Sequence, residues 1–433
     1  MTKPIKNRTL RNIKSDREYI QCTFHLDEKK AYSITNTKFC GCRFSSNVTF
    51  DFLDACTFED CHFDQNCNVH VRPHAFPEKL HGLPSLKSVH IQGFLQPLSF
   101  LPFGSRHEER TKQNMNSDFF KSSGIHTSLT HLNVICYANI HNFLEAFTDL
   151  PSLREVHLNS VKCELSQDFT HLPLHRFVIE NGEVTNVCNT IGQMTSLQHL
   201  AIHQATELRF PKQIGKLTSL QHLKLEHCVH LIPKEIGNLV SLTHLTIFTT
   251  KYNSRQSIPM QAFPNSMEVV CAGIPREIGK LVQLQQCCLH SNFTEVPQEF
   301  AMLTSLQKLT LSSQNCTSFP TVVCQLNSLT HLSLNMPISE IPKEISQLQS
   351  LTHLSFSGSD IRAIGKYIAK LTHLTHLKIY QNYAVKICEE IQQLTSLKRI
   401  EFCNCRISAQ QKRQIKEWLP HCAVSYTRVG EGR

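Results

Sequence analysis

The chain has 433 residues, 40% of them apolar, which suffices for a folded core and excludes a wholly disordered protein. Lys and Arg total 44 against 35 Asp and Glu, a net charge of +9 that excludes a strongly acidic mimic and does not by itself indicate nucleic-acid binding. The 19 cysteines are an odd number in a long chain, the N-terminus shows no apolar signal segment, and no run approaches the length of a membrane span. Reduced thiols in a cytosolic-type environment are therefore expected, with the sequons at Asn7, Asn47, Asn292 and Asn315 unmodified.

Residues 1–66 have their own rhythm. C-x-F occurs as Cys22-Thr23-Phe24, Cys42-Arg43-Phe44, Cys56-Thr57-Phe58 and Cys61-His62-Phe63. Two readings fit: coils like those of pentapeptide repeats, or short strands that cap the chain from residue 67 onward. The second is preferred, because an open apolar end of a repeat array needs a cover. Zinc at Cys40, Cys42, Cys56, Cys61 and Cys67 is disfavoured by the absence of paired C-x2-C spacings, and buried apolar thiols are expected instead.

Residues 67–407 are a repeat array. An L-x-x-L-x-L phrase begins at Leu86, then at Leu129, Leu153, Leu174, Leu197, Leu220 and Leu242, and resumes at Leu284, Leu306, Leu329, Leu351, Leu374 and Leu397. Most intervals are 22 or 23 residues. A second phrase precedes many of these leucines: FPKQIGKL from Phe210, IPKEIGNL from Ile232, IPREIGKL from Ile274 and IPKEISQL from Ile341. The L-x-L core predicts a short strand with alternate residues inward. The following proline stops the ladder and the E-I-x-x-L segment returns the chain on the other side. One unit cannot bury its own leucines, whereas a stack of units does.

The period breaks twice. The interval from Leu86 to Leu129 is 43 residues and that from Leu242 to Leu284 is 42. Insertions are expected near 92–125 and 249–273. The first reads as an exposed loop or short helix. In the second, MEVVCAG from Met267 suggests a degenerate strand after an enlarged loop. Residues 408–433 form the C-terminal cap and tail. Ser408 and Gln411 make an S-x-x-Q capping box, Ile415, Trp418 and Leu419 share a helical face, Pro420 stops the helix, and AVSY from Ala423 suggests a last strand.

These phrases resemble the leucine-rich repeat family over roughly residues 67 to 425, and most closely the 23-residue LPxEIGxL class. The resemblance implies an α/β solenoid with a curved parallel sheet on the concave face and short helices or 3-10 turns on the convex face. It also implies binding through the concave face. The family places Asn or Cys eight residues after the first leucine. Cys228, Asn292, Asn382 and Cys405 fit, while Ala205, Gln314 and Pro337 depart. The histidine-, asparagine- and cysteine-rich wording resembles effectors of intracellular bacteria such as Legionella, which implies delivery into host cytosol and a host protein as partner.

No phosphate loop, H-E-x-x-H or G-x-S-x-G phrase is present. No metal or other cofactor is expected, and the reading is non-enzymatic. Histidine is the informative residue. It precedes the second leucine at His131, His199, His222, His244, His331, His353 and His376, a position that opens the strand and faces outward, so these rings are expected to be exposed. Neighbouring strands lie ~4.8 Å apart, so short imidazole files are expected. A tolerated repeat residue, a surface that gains charge in acid, and a metal file all remain open readings.

The next outward column reads Ala201, Lys224, Thr246, Cys288, Thr310, Ser333, Ser355 and Lys378. The one after reads His203, Glu226, Phe248, His290, Ser312, Asn335, Ser357 and Tyr380. These columns hold too little Lys and Arg for a phosphate-tracking surface. Their variety beside fixed inward leucines suits protein recognition, with Phe248, His290 and Tyr380 as anchors. The candidate partner-binding residues are therefore the six histidines from His199 to His376, together with Phe248, Cys288, His290 and Tyr380. Two rivals stay open. One is a phospholipid-surface adaptor using the basic first twenty residues. The other is a small cysteine-dependent regulatory enzyme using Cys288 and His290.

Overall fold

A computed structural model describes residues 3–46, 48–54, 56–59, 61–63, 67–71, 88–93, 129–136, 150–165, 167–203, 212–226, 232–248, 273–358, 361–382 and 385–427. The chain divides into two compact units, Met1–Leu208 and Arg209–Arg433.

The first unit begins with short parallel strands. Ile5–Lys6, Glu18–Ile20, Lys38–Cys40 and Thr57–Glu59 form one four-stranded sheet. Thr9–Leu10, Thr23–Phe24, Arg43–Phe44 and His62–Phe63 form another. Parallel register sets Tyr19 beside Phe39 beside Phe58, and Phe24 beside Phe44 beside Phe63. The Phe24 and Phe44 rings stack at 4.8 Å, and Tyr19 and Phe39 at 5.3 Å. The cysteine of each C-x-F phrase points inward. Cys22 Sγ donates to Ile5 O at 3.4 Å, Cys42 Sγ to Tyr19 O at 3.5 Å and Cys61 Sγ to Phe39 O at 3.5 Å. The thiols thus satisfy carbonyls of the preceding coil, and the Cys42 contact, reinforced by burial, pushes the Cys61 thiol well above its ordinary value. The corners between strands need left-handed backbone. Asn7, Gln21 and Gly41 supply it at one corner, with φ of 52°, 51° and 58°.

A third set of strands in this unit, Ala31–Thr35, Val48–Asp54 and Cys67–Val71, continues in parallel pairing through Ser88–Gly93, His131–Cys136, Glu155–Asn159, Arg176–Glu180 and His199–His203. Ser88 pairs directly with His131. The 43-residue interval therefore adds no strand to the sheet at this point.

The second unit repeats one element pair. Five-residue strands His222–Glu226, His244–Phe248, Gln286–His290, Lys308–Ser312, His331–Asn335, His353–Ser357, His376–Tyr380, Arg399–Cys403 and Ala423–Thr427 pair in parallel without register shift. Inward leucines align from strand to strand, and Leu223, Leu332 and Leu354 are no more than 2% exposed. Their histidine neighbours His222, His331 and His353 are half-buried rather than exposed as expected, because adjacent imidazoles cover one another. His244 pairs directly with Gln286. The strand expected from Met267 lies outside the described residues, and this pairing leaves it no place between those two strands.

Opposite the sheet lie 3-10 helices such as Lys234–Asn238, Arg276–Lys280, Gln298–Met302 and Lys343–Gln347. Each follows a proline in extended conformation, and the proline carbonyl accepts the first i→i+3 bond: Ile236 N donates to Pro233 O at 3.1 Å, and Ile278 N to Pro275 O at 3.1 Å. Five residues with one large inward side chain, Ile236, Ile278, Phe300 or Ile345, are too short for an amphipathic α-helix. The glycine of the E-I-G phrase has a specific cause. A Cβ on Gly237 would sit 2.5 Å from Glu277 O, and one on Gly279 2.5 Å from Glu299 O. Neighbouring turns therefore approach too closely for a side chain. In the incomplete Asn/Cys ladder, Asn382 is fully buried and donates to Ile361 O at 3.1 Å. At the C-terminus Ser408 Oγ accepts from Gln411 N at 3.2 Å and opens the helix Ala409–Trp418, which buries Ile415.

Two stability outcomes follow from this packing. Leu332→Ala is expected to cost about 2–5 kcal/mol in denaturant unfolding, and His331→Ala much less. Gly237→Ala is expected to cost about 1–3 kcal/mol, whereas Gly273→Ala, with nothing within 4 Å of its Cβ position, should stay within about 0.5 kcal/mol of the parent. Equal losses within either pair contradict the register or the close approach of the turns.

Candidate functional site

The solvent-facing side of the sheet in the second unit carries most of the residues singled out from sequence. The register brings His222 beside His244, with ring centroids 4.2 Å apart and planes at 24°. It brings Phe248 beside His290, at 4.1 Å and 18°. It brings His331, His353 and His376 into one stack, at 4.1 Å and 8° and then 4.3 Å and 6°. Gln286 and Lys308 separate the histidine pair from the triple. Tyr380 is half-buried on the last strand of the triple, between Ser357 and Cys403 in register. His199 lies in the first unit, half-buried, with Arg176 as its strand neighbour.

A feature that sequence reading missed is the threonine before four of these histidines. Thr330 Oγ1 donates to Gln307 O at 3.0 Å, and the same oxygen lies 2.9 Å from His331 Nδ1. Thr352 bridges Thr330 O and His353 Nδ1 at 3.0 and 2.9 Å, and Thr375 bridges Thr352 O and His376 Nδ1 at the same distances. Thr243 repeats the arrangement with Gln221 O and His244 Nδ1. A hydroxyl has one proton; where it goes to the carbonyl, the oxygen accepts from Nδ1 and the neutral ring is the Nδ1–H tautomer. The visible signal was the phrase L-T-H-L, which recurs at Leu129, Leu242, Leu329, Leu351, Leu371 and Leu374.

This geometry decides between chemical readings. With Nδ1 tied to threonine, the Nε2 lone pairs point away from the backbone anchor. In nearly parallel rings they run side by side, whereas a tetrahedral or octahedral ion needs lone pairs that converge. Among the described residues no group of three or more His, Cys, Asp or Glu is placed to hold a metal ion. Burial holds His331 and His353 below the ordinary imidazole value, with further lowering by Lys308 and by the neighbouring rings. His244 is lowered by burial, then by His222 and Lys308, and His290 by burial against an opposing effect of Glu226. Cys288 is half-buried, and burial pushes its thiol up to about 11 against a hydrogen bond from Thr310. A thiol so shifted is protonated at neutral pH and lacks the thiolate that nucleophilic catalysis requires.

The first unit presents a different surface. His131 Nε2 lies 3.4 Å from Glu155 Oε1, and Asn159 Nδ2 donates to Glu180 Oε2 at 3.2 Å. His157 Nε2 is 3.2 Å from Glu180 Oε2 without hydrogen-bond alignment, so the contact becomes an ion pair only when the ring is protonated. Ala201, expected outward, is buried beside its register partner Val178, which is buried too. Most of the two period-breaking segments lies outside the described residues. Among the described residues the cysteines are free thiols, and no helix is long and apolar enough to cross a membrane.

The architecture is that of a leucine-rich repeat solenoid. A leucine-rich repeat protein of Leptospira interrogans superposes with a TM-score of 0.58 at 22% identity, over 83% of this chain and 89% of that one. An internalin of Listeria monocytogenes gives 0.52 at 17% identity, over 66% and 78%. Toll of Drosophila, solved in complex with Spatzle, gives 0.60 at 15% identity, over 95% of this chain and 51% of that one. At these identities the likeness is one of fold. No protein-family model and no curated protein sequence matches the chain.

Two measurements test the histidine geometry. Nitrogen chemical shifts at pH 7.5 should show His353 as the Nδ1–H tautomer, and Thr352→Val should release it towards Nε2–H. An Nε2–H ring in the parent contradicts the threonine bridge. A depressed folded-state value means that the unfolded chain binds the proton more readily. Stability is then complete above the unfolded value of about 6.5 and falls as pH drops through it towards the folded values. Thermal midpoints between pH 7.5 and 5.5 should fall more steeply in the parent than in His331→Gln/His353→Gln. Equal slopes contradict the assignment.

Proposed function

We propose that the chain is a non-enzymatic scaffold that binds another protein through the solvent-facing side of its sheet. The observation that carries this is the contrast within each strand. Inward positions are fixed leucines and other apolar residues that build the core, while the outward side carries a varied surface with the half-buried Phe248–His290 stack and Tyr380 on it. Aromatic rings already held by neighbours lose little freedom on binding and supply large contact area, which is what interface anchors need. The partner-binding set is His199, His222, His244, Phe248, Cys288, His290, His331, His353, His376 and Tyr380. The raised Cys288 thiol supports binding over a cysteine-dependent reaction.

The repeat wording supports a finer reading. In it the protein is a bacterial effector delivered into host cytosol, where free thiols persist, and its partner is a host protein.

Affinity capture from host lysate followed by titration calorimetry tests the surface. At least one of Phe248→Ala, His290→Ala and Tyr380→Ala should weaken the captured complex tenfold or more, about 1.4 kcal/mol. Lys212→Ala, Lys234→Ala and Lys343→Ala, on the 3-10 row, should have little effect. A phospholipid adaptor gives another pattern: flotation with anionic liposomes, loss with salt, and sensitivity to Lys3→Ala, Lys6→Ala and Arg8→Ala. Full affinity in every folded sheet-face variant, with loss in the 3-10 variants, contradicts the proposal.

A further inference from the structure

We infer that the sheet face from Gln286–His290 to His376–Tyr380 docks an acidic, extended segment of the partner protein, its carboxylates received by Lys308, the His331–His353–His376 stack and the hydroxyls beside them. This rests on the sheet-face reading above and names the chemistry of its partner.

Charge complementarity carries the argument. The outward positions of these strands hold no Asp or Glu. The nearest strand acids, Glu226 two strands before and Glu401 on the strand after, are both already engaged by cations. Glu226 meets Lys224 at 3.2 Å, and Glu401 meets Lys378 at 3.3 Å and Arg399 at 3.4 Å. Lys308 is exposed at the head of the histidine stack. Beside the stack run two short hydroxyls, Ser333 and Ser355, each able to donate to an oxygen anion. The strands lie ~4.8 Å apart, and alternate residues of an extended peptide repeat at ~6.8 Å, so three such carboxylates in a row span about the three strand spacings from Lys308 to His376.

The composition also selects between anions. Phosphate recognition favours the planar fork of arginine. These strands carry no arginine facing outward, and Arg399 on the next strand is held by Glu401. Carboxylates are the better match. The neutral stack offers lone pairs, so it receives an anion only by taking up protons. The groups around it are Lys308 before it, Lys378 on its last strand, and Arg399 with Glu401 after it. The cations oppose protonation, and Glu401 is spent on Lys378 and Arg399. A bound carboxylate would supply the missing counter-charge, which links docking to proton uptake.

Fluorescence anisotropy with the full chain tests this, using a labelled ten-residue peptide of alternating Glu and Ser and its Gln-for-Glu counterpart. Circular dichroism verifies that each variant is folded. The Glu peptide is expected to bind at least tenfold more tightly than the Gln peptide, and at least threefold more tightly at pH 6.0 than at pH 7.5. His331→Gln/His353→Gln/His376→Gln should remove the pH gain, and Lys308→Ala should weaken binding severalfold, while Lys343→Ala leaves both unchanged. Equal or absent binding of the two peptides overturns the inference. So does equal loss with Lys343→Ala, or binding of anionic vesicles in place of the peptide. If the peptide fails while Phe248→Ala still weakens the captured complex, the acidic-segment inference falls and the sheet-face proposal stands. If neither responds, both fall.

Discussion

A single repeat of this chain exposes its leucines, and only the next repeat covers them. That dependence fixes more than the core. To bury Leu309 against Leu332 and Leu332 against Leu354, the strands must run parallel and in step, and the backbone bonds between them allow no slip. Whatever residue precedes the leucine is then copied at strand spacing on the opposite side. The imidazole stack is thus a consequence of core packing: histidines at one position of the period are forced within ring contact of one another. The same closeness governs the other row, where the turns at Gly237 and Gly279 leave no room for a side chain.

Threonine converts that enforced contact into a defined chemical state. Bonded to both the previous repeat's carbonyl and Nδ1, it ties each imidazole to the backbone ladder. The rings are held parallel and oriented outward, and burial keeps His331 and His353 low in basicity. A surface of this kind is poorly shaped for chelation. It is suited to a partner that brings its own charge, and the raised Cys288 thiol beside it adds no reactive nucleophile.

Much of this was legible in the sequence because the repeat is written in residues whose chemistry admits few alternatives. Leucine spacing gave the inward face, proline the strand end, and the S-x-x-Q phrase the last helix. Less was legible where the cause lies between repeats. The role of Thr352 depends on Thr330 O, 22 residues earlier, and the need for Gly237 depends on Glu277 O across a period break. The histidines read as exposed because position alone ignores the neighbour that covers them. In the first coils, C-x-F left two readings open. Which one holds depends on left-handed corners at residues as different as Asn7, Gln21 and Gly41, and no single motif marks such a corner.

The central claim is that the chain meets its partner with the outward side of the sheet. Hydroxyl-radical footprinting of the captured complex reads this side chain by side chain. Phe248, His353 and Tyr380 should lose reactivity on binding, whereas Met302, 56% exposed at the end of a 3-10 helix, should keep its own. Protection of Met302 with unchanged reactivity at Phe248, His353 and Tyr380 would contradict the account.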